Sequence, residues 1–303
     1  MPKTALFFPG QGAQAVGMAR GLLERSSQAR ALFASASEIL GFDLAKLCVD
    51  GPEVQLNLTS NSQPALFVHS MAALHDFREQ HPGAESDVVA VAGLSLGEYS
   101  ALCCAGSISF EDGVRLVMER GAAMQDAASA VPSGMASVLG CERSVVDEIC
   151  NKARRSGEIL QVANLLCPGN IAISGHLGSL EDSEAIAMEL GASRFIRLSV
   201  AGAFHTAIME PAVTRLSAAI AKTNFQDLRM PIVANVDAGQ HISASEVTGL
   251  LARQMVSPVL WEQSLNTLIG MGVEQFYEIG AGRVLAGTLK RVSRKMPCEC
   301  FGD

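Results

Sequence analysis

Residues 87–105 read DVVAVAGLSLGEYSALCCA, and this stretch holds the pattern that decides the fold. Residues 87–92 have the apolar, β-branched composition of a buried strand, and 98–105 that of an apolar helix. Between them lies Gly93-Leu94-Ser95-Leu96-Gly97, a GxSxG sequence. Glycines on both sides of a serine permit a tight, strained turn that lifts the hydroxyl above the sheet. Strand, GxSxG and helix together predict a nucleophile elbow at Ser95.

The segments around this elbow alternate between strand and helix patterns. Residues 4–8 predict a strand, and a helix is expected to pass through 18–23 after a Gly-rich turn. Residues 63–77 carry apolar side chains at helical spacing and are followed by the break His81-Pro82-Gly83. Because strands and helices alternate, the sequence indicates an α/β fold.

The pattern changes between residues 131 and 199. Six elements are predicted there in the order β-α-β-β-α-β, at 135–139, 144–154, 160–164, 171–174, 179–190 and 193–198. This order is typical of a ferredoxin-like unit. We therefore predict a small domain at 131–199, inserted into a larger domain of 1–130 plus 200–303. A ligand is expected in the cleft between the two.

The composition favours a folded protein that binds neither membrane nor nucleic acid. Of the 303 residues, 49% are hydrophobic, which allows a sizeable core, and no apolar run reaches the ~20 residues that cross a bilayer. A net charge of −8 opposes a nucleic-acid footprint. One basic cluster near the C-terminus either faces an acidic partner or is a solvated helix face. This C-terminal basic cluster consists of Arg283, Lys290, Arg291, Arg294 and Lys295.

Neither a metal nor a nucleotide cofactor is expected. The eight cysteines lie in mostly apolar settings, and Cys103-Cys104 falls on a predicted buried helix, as reduced thiols that act as small hydrophobes do. Cys298 and Cys300 lack the CxxC spacing and the nearby histidine of a zinc site. The Gly-rich turns at 7–12 and 278–282 do not complete the GxGxxG spacing of a dinucleotide site.

A serine hydroxyl needs a base within hydrogen-bond reach before it acts as a nucleophile. Of the six histidines, His205 follows the small, apolar segment Val200-Ala201-Gly202-Ala203-Phe204. Such a segment can hold an imidazole in a cleft without crowding by water. His75 and His81 have polar sequence surroundings and are expected at the surface. His205 is therefore the candidate base for Ser95.

Five ordered motifs span the chain. They are FFPGQGAQ at 7–14, GLSLGEYSAL at 93–102, RGAAM at 120–124, GAFHT at 202–206 and QMVSPVLW at 254–261. Together they resemble the motifs of malonyl-CoA:acyl carrier protein transacylases along essentially the whole length. The resemblance implies an α/β-hydrolase-like large domain with an inserted ferredoxin-like small domain, which agrees with the predicted order of elements.

The same resemblance implies which residues perform the chemistry. Ser95 corresponds to the nucleophile and His205 to the general base, while the backbone N–H groups of Gln11 and Leu96 correspond to the oxyanion hole. The matching family glutamine, Gln254, orients the histidine through its backbone carbonyl. That carbonyl replaces the carboxylate of a catalytic triad.

Arg120 corresponds to the family's carboxylate clamp. A planar guanidinium can pair with both oxygens of malonate, whereas an acetyl group would leave this buried charge unpaired. Phe204, next to His205, resembles the malonyl-selective form of the motif. On residue type alone, a lone arginine on a helix is more often part of an ordinary ion pair.

The implied reaction is ping-pong, with malonyl-CoA and acyl carrier protein as partners. Ser95 attacks the thioester, coenzyme A leaves, and the phosphopantetheine thiol of the carrier takes the acyl group. No bound cofactor or metal is required. Fatty-acid synthesis is the expected pathway, with polyketide synthesis as the alternative. A monomer is expected, although no sequence feature sets the oligomeric state.

Two positions depart from the commonest bacterial pattern. Leu94 stands where a histidine usually precedes the nucleophile, and NLLCPGN at 164–170 replaces a more polar stretch. Both change the walls near the acyl group and resemble plastid-type members of the family. The expected location is therefore a bacterial cytoplasm or a plastid-type stroma, the latter for a mature chain without its leader.

Two other classes of function compete with transfer. A serine hydrolase would use the same elbow with water as the acceptor, but such enzymes place their histidine later and carry an HGGG-type loop that is missing here. A non-catalytic scaffold would have lost the reactive residues. Ser95, His205 and Arg120 are all present, which favours the enzyme.

Overall fold

Two sheets carry the ten strands found in residues 2–302, the part of the chain that the computed structural model describes. The strands are β1 (Thr4–Phe8), β2 (Val88–Gly93), β3 (Ser133–Leu139), β4 (Leu160–Cys167), β5 (Asn170–His176), β6 (Arg194–Arg197), β7 (Ile232–Val233), β8 (Gln240–His241), β9 (Gln275–Ile279) and β10 (Cys298–Phe301).

Helices connect and cover these strands. Over the same residues they are α1 (Arg20–Arg25), α2 (Ser27–Leu40), α3 (Leu44–Asp50), α4 (Glu53–Leu56), α5 (Thr59–Gln80), α6 (Gly97–Cys104), α7 (Phe110–Ala130), α8 (Arg143–Ala153), α9 (Leu177–Glu189), α10 (Glu210–Ile220), α11 (Ala244–Gln254), α12 (Trp261–Gly270) and α13 (Val284–Val292). The alternation with strands is the predicted α/β class.

The first sheet has the strand order β10-β9-β1-β2-β7-β8. Pairing is parallel from β10 to β7, and only β8 runs antiparallel to its neighbour. All five residues of β1 are buried, as expected for a central parallel strand with both faces covered. The carboxyl ends of β1 and β2 therefore meet at one edge of this sheet. The motifs at 7–14 and 93–102 begin there.

The second sheet is antiparallel, with the order β4-β5-β3-β6. Its strands come from the consecutive residues 133–197, with α8 and α9 packed on the sheet. The sheet has a hydrophobic core of its own, which includes Ile149, Leu160 and Ile173. All six elements predicted for this segment are present in the predicted order. Strand β4 continues past the predicted residue 164 to Cys167.

Strand β4 joins the second sheet to the rest of the molecule. The amide of Val259 donates to the Ala163 carbonyl at 2.8 Å, and the Leu165 amide donates to the Val259 carbonyl at 2.9 Å. The motif at 254–261 contains Val259. These two hydrogen bonds therefore hold the segment after α11 against the edge of the second sheet.

Two local predictions were wrong. The helix expected at 18–23 begins at Arg20, because Ala19 has a left-handed φ of 68° that breaks the helical path. His81, expected at the surface, is only partly exposed, because its ring packs against Phe77 at 5.1 Å and Phe301 at 5.0 Å. Strand β10 brings Phe301 to this place, which local sequence does not reveal.

Other local predictions agree with the structure. Cys104 is buried at the end of α6. The helix predicted at 63–77 extends over Thr59–Gln80.

Among residues 2–302, no helix is both long enough and apolar enough to span a bilayer.

Candidate active site

The turn between β2 and α6 is a strained elbow. Ser95 has a φ of 50°, in the left-handed region that residues other than glycine rarely adopt. A Cβ at Gly93 would lie 2.0 Å from the Gly97 carbonyl oxygen, and one at Gly97 would lie 2.1 Å from the Phe8 carbonyl oxygen. Both glycines are therefore required by close backbone contacts. The elbow can form only where the ends of β1 and β2 meet.

The Ser95 hydroxyl contacts two side chains that are distant in sequence. Its Oγ lies 2.9 Å from His205 Nε2 and 3.0 Å from Arg120 Nη2. A guanidinium only donates hydrogen bonds. The serine oxygen therefore accepts from Arg120 and directs its own hydrogen toward His205, the arrangement needed to remove that proton.

His205 is held by a backbone carbonyl. Its Nδ1 lies 2.8 Å from the Gln254 carbonyl oxygen, which can only accept. The proton therefore sits on Nδ1, and Nε2 is free to accept from Ser95. Burial, followed by the positive charge of Arg120, lowers the pKa of His205 from 6.5 to about 4. The imidazole is accordingly neutral, and able to take a proton, at neutral pH.

Arg120, on α7, is a buried cation with only 1% of its surface exposed. Nη1 donates to Gln63 Oε1 at 2.8 Å and Nη2 to Gln254 Oε1 at 2.9 Å, while the guanidinium lies 5.3 Å from the Tyr99 ring centre. No carboxylate in residues 2–302 is within ion-pair distance. A buried charge without a counter-ion is unfavourable, so the site is suited to an anionic ligand.

The predicted oxyanion-hole residues lie on two turns that are bonded to each other. Leu96 directly precedes α6, and Gln11 follows β1. The Leu94 amide donates to the Phe8 carbonyl at 3.0 Å, which joins the two turns. Within the described chain, the amides of Gln11 and Leu96 donate no hydrogen bond. Both remain available to a ligand oxygen.

Asn235 is a site residue that sequence reasoning missed. Its Oδ1 accepts a 2.7 Å hydrogen bond from the Ser95 amide, and its Nδ2 donates at 2.7 Å to the Gly93 carbonyl. Asn235 follows β7, which pairs with β2. Because this pairing brings together residues about 140 positions apart in the chain, the local sequence carried no signal of it.

Glu98 and Gln63 were also missed. Glu98 is 2% exposed, and the Gln254 side-chain amide donates to its Oε2 at 2.5 Å. Burial raises the pKa of Glu98 to about 7. A carboxylate inside the apolar segment 98–105 was a signal that could have been used, since such a group is rarely buried without a partner.

The Gly-rich turn after β9 is occupied by the protein's own carboxylate. Glu278 accepts hydrogen bonds from the Leu285 amide at 3.0 Å and the Ala286 amide at 2.8 Å. These amides form the start of α13, the position that a phosphate takes in dinucleotide folds. The turn at 278–282 therefore has its helix N-terminus already capped.

These features are typical of an acyl-transfer site: a strained serine, a neutral histidine and a buried cation. The sequence model of the acyl transferase domain matches residues 6–299. The chain belongs to this acyl transferase family, as the five motifs indicated.

Within this family, the chain is similar to proteins named malonyl CoA-acyl carrier protein transacylases. The malonyl CoA-acyl carrier protein transacylase of Bacillus subtilis (strain 168) is 40% identical over 303 residues, covering 100% of this chain and 94% of the relative. The structure of the protein of that name from Coxiella burnetii has a TM-score of 0.95 at 33% identity, covering 100% and 95%. A malonyl-transacylase in complex with its type II PKS acyl-carrier protein has a TM-score of 0.94 at 36% identity, covering 99% and 96%.

Proposed function

We propose that this protein transfers a malonyl group from malonyl-CoA to the phosphopantetheine thiol of acyl carrier protein, through a malonyl ester on Ser95. The observation that carries the proposal is the position of Arg120. This buried cation lies 3.0 Å from the Ser95 hydroxyl and has no carboxylate partner among residues 2–302. An acyl group that brings its own carboxylate supplies that partner. The names of the relatives agree with this donor and acceptor.

In the first half-reaction, Ser95 Oγ attacks the thioester carbonyl of malonyl-CoA. His205 Nε2, 2.9 Å away, takes the serine proton and gives it to the departing coenzyme A sulfur. The Gln254 carbonyl stabilises the imidazolium through Nδ1–H. The free amides of Gln11 and Leu96 are the donors that we assign to the developing oxyanion.

In the second half-reaction the carrier's thiol attacks the malonyl-serine ester. His205 removes the thiol proton and returns a proton to Ser95 as the ester bond breaks. The two half-reactions use the same base and the same oxyanion donors, so one site suffices for both. We assign this reaction to fatty-acid synthesis. Polyketide synthesis is the alternative, and one related structure contains a type II PKS carrier.

Selectivity for malonyl groups rests on charge in this proposal. An acetyl group would leave Arg120 without a counter-ion in a buried site, which is unfavourable. Phe204, which is 5% exposed and precedes the base, is proposed to limit the size of the acyl group. Leu94 is also buried, and its carbonyl faces Gly10.

The domain organisation and cellular setting are part of the same proposal. We propose that the first sheet and its helices form an α/β-hydrolase-like domain of residues 1–130 plus 200–303. The second sheet then forms a ferredoxin-like domain of 131–199, and its strand order supports this. The relative from Bacillus subtilis is bacterial, which favours the bacterial cytoplasm over the plastid. A monomer remains a prediction.

Acid-stable labelling of Ser95 tests the function. The protein is incubated with radiolabelled malonyl-CoA alone, quenched in acid and digested, and the labelled peptide is identified. Label is expected on Ser95 and is expected to move to added holo acyl carrier protein. Ser95→Ala should carry no label, whereas Ser137→Ala, a serine of β3, should behave like the wild type.

Two other results would point to different functions. Release of free malonate at the full rate without a carrier would identify a hydrolase. Absence of any label on the wild-type protein would favour a binding protein that kept this fold.

A further inference from the structure

Glu98 is a buried carboxylate for which the proposed reaction has no use. Its Oε2 accepts hydrogen bonds from Gln254 Nε2 at 2.5 Å and from the Asn235 amide at 3.4 Å. It contacts neither Ser95 Oγ nor His205, whose hydrogen-bond partners are other groups. Proton transfer is therefore not its role. Its strongest contact is with the side chain that holds Arg120.

The side-chain amide of Gln254 has two ends with opposite hydrogen-bonding character. Its Oε1 accepts from Arg120 Nη2 at 2.9 Å. Its Nε2 donates to the Glu98 carboxylate and, at 3.1 Å, to the Ser95 carbonyl. An unprotonated carboxylate and a backbone carbonyl only accept. Rotating the amide by half a turn would set an oxygen against these two oxygens and an NH₂ group against a guanidinium.

Gln254 also separates two charges. If Glu98 paired directly with Arg120, it would neutralise the cation and compete with the carboxylate of a ligand. With the amide between them, Arg120 remains without a carboxylate partner in the described residues, yet its Nη2 is held in one direction. The carboxylate thus acts on the cation through one intervening side chain.

We propose that Glu98 is a positioning residue that fixes the orientation of the Gln254 amide and, through it, directs Arg120 toward the carboxylate of the acyl group. This inference rests on the proposed function. It adds a specificity determinant that contacts neither the substrate nor the reacting atoms. Burial raises the pKa of Glu98 to about 7, and the hydrogen bonds from Gln254 and Asn235 oppose that rise because they stabilise the unprotonated carboxylate.

The test compares two acyl donors on one enzyme. Single-turnover acylation of Ser95 is measured with malonyl-CoA and with acetyl-CoA, and kcat/KM is obtained for each. In Glu98→Gln, the new amide can present either end to Gln254, so the orientation is no longer imposed. The malonyl-to-acetyl ratio should fall about 10-fold, the loss expected for a weakened charged hydrogen bond. The fall should appear mainly in the KM for malonyl-CoA, with a smaller effect on acetyl transfer.

Glu278→Gln is the matched control, because Glu278 is also fully buried and caps α13 away from Ser95. It should leave the ratio unchanged even if stability falls. Should thermal unfolding show that Glu98→Gln does not fold, Glu98→Asp keeps the charge but withdraws it from Gln254 by one methylene. It should give the same loss of ratio.

A double-variant cycle tests the route. If Glu98 acts through Gln254, Glu98→Gln combined with Gln254→Leu should have the same ratio as Gln254→Leu alone. If the ratio in the double variant fell by the product of the two single-variant losses, the inference would be overturned. An unchanged ratio in a folded Glu98 variant, or equal losses for both donors, would also overturn it. Failure of the wild type to prefer malonyl-CoA would instead refute the proposed function.

Discussion

At the scale of single residues, chemistry depends on where three protons sit. Arg120 donates to the Ser95 oxygen, so the serine hydrogen faces His205. The Gln254 carbonyl keeps the other imidazole proton on Nδ1. This is how a backbone carbonyl replaces a triad carboxylate: it fixes the tautomer without adding a negative charge beside a site intended for an anion.

The pH dependence of Ser95 acylation should reflect the neutral state of His205. With a pKa near 4, the base is available at neutral pH, and the rate should decline only as pH falls toward 4. In Arg120→Gln a positive charge that lowers this pKa is gone, so the acid limb should move to higher pH. Acylation by acetyl-CoA, followed across pH 3.5–8 by rapid quench, measures the acid limb of the wild type and of Arg120→Gln.

Arg115→Gln on the exposed face of α7 is the control and should leave the limb unchanged. An acid limb near the ordinary histidine pKa in the wild type would contradict the prediction.

The lowered pKa of His205 also affects the stability of the folded state. The unfolded histidine binds its proton below about 6.5 and the folded one only below about 4. His205 therefore makes the folded state more stable as pH rises from about 4 to 6.5.

Glycine-to-alanine substitution should have opposite effects on stability in the elbow and on an exposed helical surface. Gly97→Ala places a Cβ 2.1 Å from the Phe8 carbonyl oxygen, so the free energy of unfolding should fall by about 3 kcal/mol or more. Gly249→Ala, at an exposed position of α11 with open space around it, should raise the free energy of unfolding by about 0.5–1 kcal/mol. Urea denaturation measures both. A tolerated Gly97→Ala would show that the elbow can relax.

At the scale of elements, the C-terminal basic cluster lies on α13 and on the residues that flank it. All five of its residues are exposed. Arg291 also donates to the Pro168 carbonyl at 2.8 Å, which ties α13 to the turn between β4 and β5. Within the cluster, Arg291 therefore stabilises the fold, and the other four side chains are exposed to an acidic partner.

Charge reversal in this cluster tests carrier docking. Lys290→Glu with Arg294→Glu should raise the KM for acyl carrier protein roughly 3–10-fold at low salt, with a smaller effect at high salt. Malonylation of Ser95 by malonyl-CoA should not change. Lys46→Glu with Lys222→Glu, at two exposed lysines outside the cluster, is the matched control with the same charge change. Equal effects of the two pairs would indicate a general charge effect and no docking site.

At the scale of the whole molecule, the two sheets share one active site. We call the first sheet with its helices the first layer, and the second sheet with α8 and α9 the second layer. His205 follows the last strand of the second layer, whereas Ser95 and Arg120 belong to the first layer. The hydrogen bonds of Val259 with β4 couple the layers beside Gln254. We therefore expect the two layers to unfold together.

The single tryptophan makes this testable. Trp261 is fully buried beside Phe7 and donates to Thr288 at 2.9 Å, so its fluorescence reports on the first layer. Far-ultraviolet circular dichroism reports on both layers. In urea the two transitions should coincide. A circular-dichroism transition that precedes the fluorescence change would show that the second sheet unfolds independently.

Much of the molecule could be predicted from local sequence. Hydrophobic periodicity and turn residues placed β2, α6 and all six elements of 133–197, because each pattern spans only neighbouring residues. The GxSxG sequence indicated Ser95, and the small apolar segment before His205 indicated the base. Resemblance to a family supplied the roles of Arg120 and Gln254.

What only the tertiary structure decided is the network that joins these residues. Asn235 reaches the Ser95 amide because β7 pairs with β2, and Glu98 reaches Gln254 because α6 and the end of α11 converge behind Ser95. Neither contact has a local sequence signal, since strand pairing and helix packing join residues more than a hundred positions apart. The sequence by itself determined the elements and the reactive groups; packing determined their hydrogen-bond partners, and hence their protonation.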